Sequence, residues 1–230
     1  MRLVSVVVTT KNEEKYLEKC LLALKRQTYK PIEIVVSDAC STDATLKIAQ
    51  RHADRVVVKK TNIAEGKNFG ASKARGQILV FLDADTLLPK NWVERAVKNL
   101  DSKGFTTGVI KPRSRRLVAK FVCWWWGYAL PWFFLLLRSP MFGGASTFCV
   151  KREVFEEVGG FDSSLAVFED ADLVRKIGAE KIRWDPELRS YTSMRRFERN
   201  GYFKQILFYV GCAILFLLSK KLLSRIIKSF

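Results

Sequence analysis

Ile78-Leu79-Val80-Phe81-Leu82-Asp83-Ala84-Asp85-Thr86 sets five apolar or β-branched residues directly before two carboxylates one residue apart. A short apolar run of this kind reads as a buried strand. Asp83 and Asp85 then stand at its carboxyl end, where ligands bind in open α/β sheets. Two hard oxygen ligands at this spacing suit a Mg²⁺ or Mn²⁺ ion, and such ions share a substrate's phosphates. Asp-x-Asp also occurs in solvated turns and at helix N-caps, so the flanking sequence has to choose.

Upstream, Leu3 to Thr9 is nearly continuously apolar, as doubly covered parallel strands are. Lys11-Asn12-Glu13-Glu14 leads into a helix with Leu17, Cys20, Leu21 and Leu24 on one face. Pro31 ends that connection, and Ile32 to Ser37 forms a second strand that delivers Asp38 at its carboxyl end. Ser41-Thr42-Asp43 caps a helix running to about Ala53. Arg55 to Val58 is a third strand, and Ala64 to Ala74 a helix closed by Gly76. This alternation implies βαβ units in a Rossmann-like α/β fold, a mostly parallel sheet flanked by helices. Downstream, Pro89 opens a helix with Val93, Ala96, Val97 and Leu100 at core spacing. Strands follow at Phe105 to Ile110 and Ser146 to Val150, then a short helix ending at Gly159-Gly160. Phe168-Glu169-Asp170-Ala171-Asp172-Leu173 opens another helix, and Ile182-Arg183-Trp184 reads as a last strand.

Composition narrows the chemistry. With 230 residues the chain can bury a real core. Its five cysteines form no Cys-x-x-Cys pair, which argues for reduced thiols and against a disulfide framework. His52 is the only histidine, which disfavours a zinc site and a Ser-His or Cys-His relay, so a general base has to be a carboxylate unless a lysine or tyrosine serves. The net charge of +17 calls for an anionic partner. The charge lies near two apolar blocks rather than in one tail, which favours a membrane surface over nucleic acid. The chain opens directly into a strand-like run, so no signal peptide is expected.

Taken in order, these stretches resemble family 2 of the inverting glycosyltransferases, with the nucleotide-diphospho-sugar fold called GT-A. The matching segments are Val6–Glu14, Val36–Asp43, Gly66–Ala71, Asp83-Ala84-Asp85, Gly143-Gly144-Ala145, Val158–Asp162 and Phe168–Leu173. The resemblance implies a nucleotide-diphospho-sugar donor of UDP or GDP type. Thr9 and Glu13 would line the base and ribose pocket, and Asp38 would accept a hydrogen bond from the base, unless it caps the next helix. Lys67 and Asn68 would lie near the ribose or diphosphate, and Asp83 and Asp85 would hold the metal. The base would be Asp170, with Glu169 second; Glu169 and Asp172 beside it would raise its pKa by like-charge repulsion. Processive members carry Gln-x-x-Arg-Trp, and Ile182-Arg183-Trp184 lacks that Gln, so a non-processive enzyme is expected. Arg195 and Arg196 would supply cations for the diphosphate instead. A sugar-nucleotide pyrophosphorylase is disfavoured because Thr9-Thr10-Lys11-Asn12 has no glycine.

Two apolar blocks complete the reading. Phe121 to Leu137 carries no charge, and as a helix its seventeen residues would span about 25 Å, short of a hydrocarbon core of about 30 Å. A single crossing would also separate Asp85 from Asp170, so the segment, within an insertion at about 117–138, reads as re-entrant, interfacial or protein-covered. Residues 1–200 form the catalytic domain and 201–230 a membrane-associated helical tail, in which Leu222, Leu223, Ile226 and Ile227 share one face of an interfacial helix. The expected partners are the donor, a membrane-embedded lipid or lipid-linked acceptor and the membrane surface, with no nucleic acid, at the cytoplasmic face of the cell membrane. The competing reading is a catalytically inactive basic membrane binder that keeps the fold.

Overall fold

A computed structural model describes residues 1–125 and 147–228 of the chain. The first half of the sheet comprises β1 (Val4–Thr10), β2 (Ile32–Asp38), β3 (Arg55–Val58) and β4 (Ile78–Asp83), lying parallel in the order β3-β2-β1-β4. Its crossovers are α1 (Leu17–Lys25), α2 (Thr45–His52) and α3 (Ile63–Lys73). The two-residue alternation of a strand divides β1 between two layers. Val4, Val6 and Val8 pack with Leu17, Leu21 and Leu24 of α1, whereas Val7 packs with Ala64 and Ala71 of α3. Gly70 lets α3 approach closely, since a Cβ there would lie 2.5 Å from a Val7 methyl. The register places Thr9 beside both Ser37 and Asp83, and Thr10 beside Asp38, so three strand ends come flush.

The second half is mixed rather than parallel. It comprises β5 (Thr86–Leu87), α4 (Trp92–Leu100), β6 (Phe105–Pro112), α5 (Leu117–Trp124), β7 (Thr147–Lys151), α6 (Arg152–Glu157), α7 (Glu169–Ile177) and β8 (Ile182–Thr192). The order continues β4-β7-β6-β8-β5, with β7 antiparallel to both neighbours and β8 parallel to β6. The last strand therefore runs well past Trp184. Its pairing shifts between Thr107 and Val109, where Gly108 accommodates the bulge: a Cβ there would stand 1.8 Å from the Leu188 carbonyl oxygen. Asp185-Pro186 lies in that bulge, which explains why the sequence resembles a turn there.

Three helices finish the described chain: α8 (Arg195–Asn200), α9 (Tyr202–Leu218) and α10 (Lys220–Lys228). Among the described residues no helix is long and apolar enough to cross a membrane. Ile206 and Tyr202 of α9 pack with Ala119, Val122 and Cys123 of α5. Further along the helix, Cys212 and Phe216 join Leu223 of α10 against Leu165 and Ala171. Part of the apolar face of α10 meets protein: Leu223 is buried and Ile227 packs on the same cluster, while Leu222 is exposed. Of Phe121 to Leu137, only Phe121–Trp125 lies among the described residues; the rest of that block and Gly143-Gly144-Ala145 lie outside them.

Asp185 ties β8 to α4. Its carboxylate accepts from Arg95 Nε at 2.6 Å, Arg95 Nη2 at 2.9 Å and Asn99 Nδ2 at 2.8 Å. Burial opposes its charge, yet these donors and the Glu187 N–H hold the carboxyl down to about 2. A carboxyl depressed below its unfolded value stabilises the fold above about pH 4, and that contribution fades as pH falls through the folded value. Asp185→Asn is expected to cost about 1–3 kcal/mol at pH 7. In urea titrations the gap from wild type should narrow steadily between pH 4 and pH 2.

Candidate active site

The loops that follow β1 and β2 are stitched together before any ligand is considered. The Asn12 N–H donates to Ser41 Oγ at 2.8 Å, the Thr42 N–H to Asn12 Oδ1 at 2.9 Å, and the Glu13 N–H to Thr45 Oγ1 at 2.7 Å. Asn12 and Cys40 both adopt left-handed backbone, with φ of 56° and 59°. Asp38, buried at the end of β2, accepts from Thr10 Oγ1 at 2.9 Å, Ser41 Oγ at 2.5 Å and the Ser41 N–H at 2.8 Å. It thus braces both loops rather than capping α2, where Asp43 accepts from the Thr45 N–H at 2.9 Å. Thr9, half-buried, sits at the same edge.

At the end of β4 the carboxylates gather. Asp83 lies among Asp85, Glu169 and Asp170; burial and these charges push its carboxyl up to about 7, against the pull of Lys67. Lys67 reaches in from α3. It donates to Glu169 Oε1 at 2.8 Å and lies 5.2 Å from the centre of the Phe161 ring, and both ion-pair partners are buried. Burial disfavours its charge, but Glu169, Asp83 and Asp170 hold its pKa above the usual value. Phe168, in left-handed backbone with φ of 64°, turns the chain into α7 so that Glu169 and Asp170 occupy its first turn. Asp170 is half-buried, and its Oδ1 accepts from the Ala171 N–H at 2.8 Å.

Both carboxylates flanking Asp170 have cation partners. Glu169 is paired with Lys67, and Asp172 lies among Arg175, Lys176 and Lys220. Asn68 departs from its expected place beside the donor. Its Nδ2 donates to the Phe161 carbonyl at 2.8 Å and its Oδ1 accepts from the Phe161 N–H at 3.0 Å, so both ends of the amide are committed to that loop.

The second wall comes from α8. Arg195 forms a two-pronged contact with Glu13, one prong at 2.7 Å, and its Nε lies 3.2 Å from Asp85 Oδ2. The guanidinium also sits 4.7 Å from the centre of the Tyr16 ring. Arg196 donates to the Tyr209 hydroxyl at 3.1 Å; burial works against its charge, while Tyr209, Asp83 and Asp85 raise its pKa. Thr192 at the end of β8 donates to Asp85 Oδ1 at 3.4 Å. Tyr16, Thr192 and the Glu13–Arg195 pair were absent from the sequence reading. Nothing in a local pattern joins residues on opposite ends of the chain.

A divalent ion fits this edge. Two carboxylates one residue apart at the end of β4 offer hard oxygens of the kind such an ion takes. Among the described residues no three metal-binding side chains converge, so a substrate's phosphates would have to complete the shell.

Residues 5–159 match the family described as Glycosyl transferase family 2. The chain belongs to that family. It is 34% identical over 108 residues to Glycosyltransferase GlyG of Streptococcus pneumoniae, covering 44% of this chain and 36% of that protein. It is 30% identical over 106 residues to the Staphylococcus aureus poly(ribitol-phosphate) beta-N-acetylglucosaminyltransferase TarS, covering 42% of this chain and 18% of that one. The family 2 chain therefore spans only a minor part of these two curated relatives. Among solved structures, the mannosyltransferase PcManGT of Pyrobaculum calidifontis, in complex with GDP-Man and Mn²⁺, superposes with a TM-score of 0.65 at 26% identity, covering 82% of this chain and 56% of that one. TarS residues 1–349 with UDP-GlcNAc superpose at 0.64 with 20% identity, over 84% of this chain and 58% of that one, a likeness of fold.

The buried Lys67–Glu169 pair should behave as a unit. Lys67→Met strands Glu169 and is expected to cost about 3–5 kcal/mol in urea unfolding. Adding Glu169→Gln should recover at least half of that loss. No recovery in the double variant would mean that Glu169 is not what Lys67 holds.

Proposed function

We propose that the protein is a metal-dependent inverting glycosyltransferase. It takes a sugar from a UDP- or GDP-type donor and passes it to a lipid or lipid-linked acceptor at the cytoplasmic face of the membrane. The observation that carries this reading is the meeting of Asp83, Asp85, Lys67, Glu169 and Asp170 at the carboxyl edge of the sheet, between α3, α7 and α8. The PcManGT and TarS complexes, which hold GDP-Man with Mn²⁺ and UDP-GlcNAc, support the donor class.

In the proposed reaction, Asp170 takes the proton from the acceptor hydroxyl as that oxygen attacks the anomeric carbon. The bond from that carbon to the donor's diphosphate breaks on the opposite face, and the diphosphate leaves with the bonding pair. Asp170, half-buried in the first turn of α7, is assigned the base, with Glu169, which pairs with Lys67, second. Asp83 and Asp85 would hold Mg²⁺ or Mn²⁺, whose contribution is Lewis-acid stabilisation of the departing diphosphate. Arg195 stands where it can exchange Asp85 for a diphosphate oxygen, and Arg196 adds charge beside it. Thr9, Glu13 and Asp38 border the space for base and ribose, whereas Asn68 shapes the Phe161 loop from behind.

The membrane part of the reading rests on two exposed stripes. Leu117, Phe121 and Trp124 stand out from α5, and Phe203, Leu207, Val210, Ile214 and Leu217 stand out from α9 at helical spacing. Such apolar rows on a chain of +17 suit an anionic lipid surface.

A thermal-shift panel with UDP-GlcNAc and GDP-mannose tests the donor. One of them should raise Tm only with Mn²⁺ or Mg²⁺, and Asp85→Asn should abolish that shift; absence of any shift at millimolar ligand would favour the inactive binder. Asp170→Asn should keep the shift yet lose about 10²–10⁴-fold in turnover. Flotation with anionic vesicles tests the surface: the pair Phe121→Glu and Leu207→Glu should leave the fold intact and the protein at the bottom of the gradient.

A further inference from the structure

Asp172 is wholly buried, and neither of its oxygens receives a well-aligned hydrogen bond. Its charge is met by three cations: Arg175 at 3.7 Å, Lys176 at 3.2 Å and Lys220 in direct contact. Arg175 and Lys176 belong to α7 itself, three and four residues on, so their ion pairs with Asp172 stay within that helix. Lys220 comes from the first turn of α10. Its ion pair is therefore the one of the three that joins Asp172 to another element.

The same pair of helices grips the approach to α7 at further points. Phe216 of α9 stacks on Phe168 at 5.7 Å, the left-handed residue that sets the direction of α7. Arg175 lies 5.4 Å from the centre of the same Phe216 ring. Ser224 of α10 donates to the Ser164 carbonyl at 2.6 Å, and Leu223 packs on Leu165 and Ala171. These contacts cover the segment 164–175 from one side, while the Lys67–Glu169 pair holds its cleft side. A buried carboxylate that loses a cation is costly, so Lys220 and Asp172 are strongly coupled.

We propose that α9 and α10 form a clamp that positions the base-bearing turn of α7, with Lys220 as a positioning residue acting through Asp172. This rests on the reading of Asp170 as the base, because what the clamp aligns is the first turn of that helix. A misplacement of about 1 Å at a reacting group can cost about 10²-fold in rate, so a partial loosening is expected to matter.

The test uses the 230-residue chain and compares Lys220→Met, Lys220→Arg, Asp172→Asn and Lys221→Met. Lys221 is exposed and adjacent, so its variant removes the same charge from the tail without touching Asp172. Hydrogen exchange over residues 164–177 should quicken in Lys220→Met and Asp172→Asn, and stay at the wild-type rate in Lys220→Arg and Lys221→Met. Nucleotide release from UDP-GlcNAc or GDP-mannose with Mn²⁺ in the absence of acceptor, the donor's hydrolysis by water, should fall about tenfold in kcat for Lys220→Met, with KM within twofold. Wild-type exchange in Lys220→Met, or an equal effect from Lys221→Met, would overturn the clamp. Quickened exchange with kcat unchanged would overturn the positioning role. If instead Asp170→Asn hydrolyses the donor at the wild-type rate, the base assignment fails, while the exchange results still judge the clamp.

Discussion

Asp83, Asp85, Glu169 and Asp170 share one end of the sheet, and their mutual repulsion is the constraint that the surrounding structure answers. Four carboxylates cannot be gathered at a partly buried edge unless cations arrive from elsewhere in the chain. They do so from widely separated elements. Lys67 comes from α3 and pairs with Glu169 across the cleft. Arg195 comes from α8 and spans Glu13 and Asp85. One level further out, Lys220 meets Asp172. Each cation closes a long loop in the sequence, so the charges that serve the site also fold the chain around it. Burial and the neighbouring carboxylates push the Asp83 carboxyl up, against the pull of Lys67.

That arrangement explains which parts of the molecule were legible in the sequence. The parallel half of the sheet is encoded locally, in apolar runs ending at Thr10, Asp38 and Asp83, and the observed register aligns those ends. Helix α7 announces itself through its acidic first turn. Strand β8 was readable only to Trp184, because Asp185-Pro186 carries turn chemistry while Gly108 on the partner strand makes room for the bulge. The antiparallel course of β7 was not legible either, since strand direction is a property of connections rather than of composition.

Long-range pairing hid the rest. Asn68 lies beside Lys67 in a motif that suggests a ligand-facing role, but helical geometry turns neighbouring side chains to different faces. Lys67 meets Glu169 while Asn68 braces the Phe161 backbone. Asp172 looked like an acidic neighbour of Asp170, whereas the three cations around it belong to no local pattern that announces them. The apolar face of α10 looked like a membrane-binding face because hydrophobic periodicity does not say what the face meets. Here much of it meets Leu165 and Ala171.

Helix α9 has to satisfy two surroundings at once, and its sequence is divided accordingly. One side supplies Cys212 and Phe216 to the cluster against α7, and Ile206 packs with α5. The other leaves Phe203, Leu207, Val210, Ile214 and Leu217 in the open. A helix that only covered the protein would expose polar residues along that outer row. A helix built only for lipid would not place an aromatic ring against the left-handed residue that starts α7. The buried row and the exposed row belong to one helix of 17 residues. Whatever orders the outer row of α9 therefore also restricts the inner row, and through Phe216 the entry to the helix that carries Asp170.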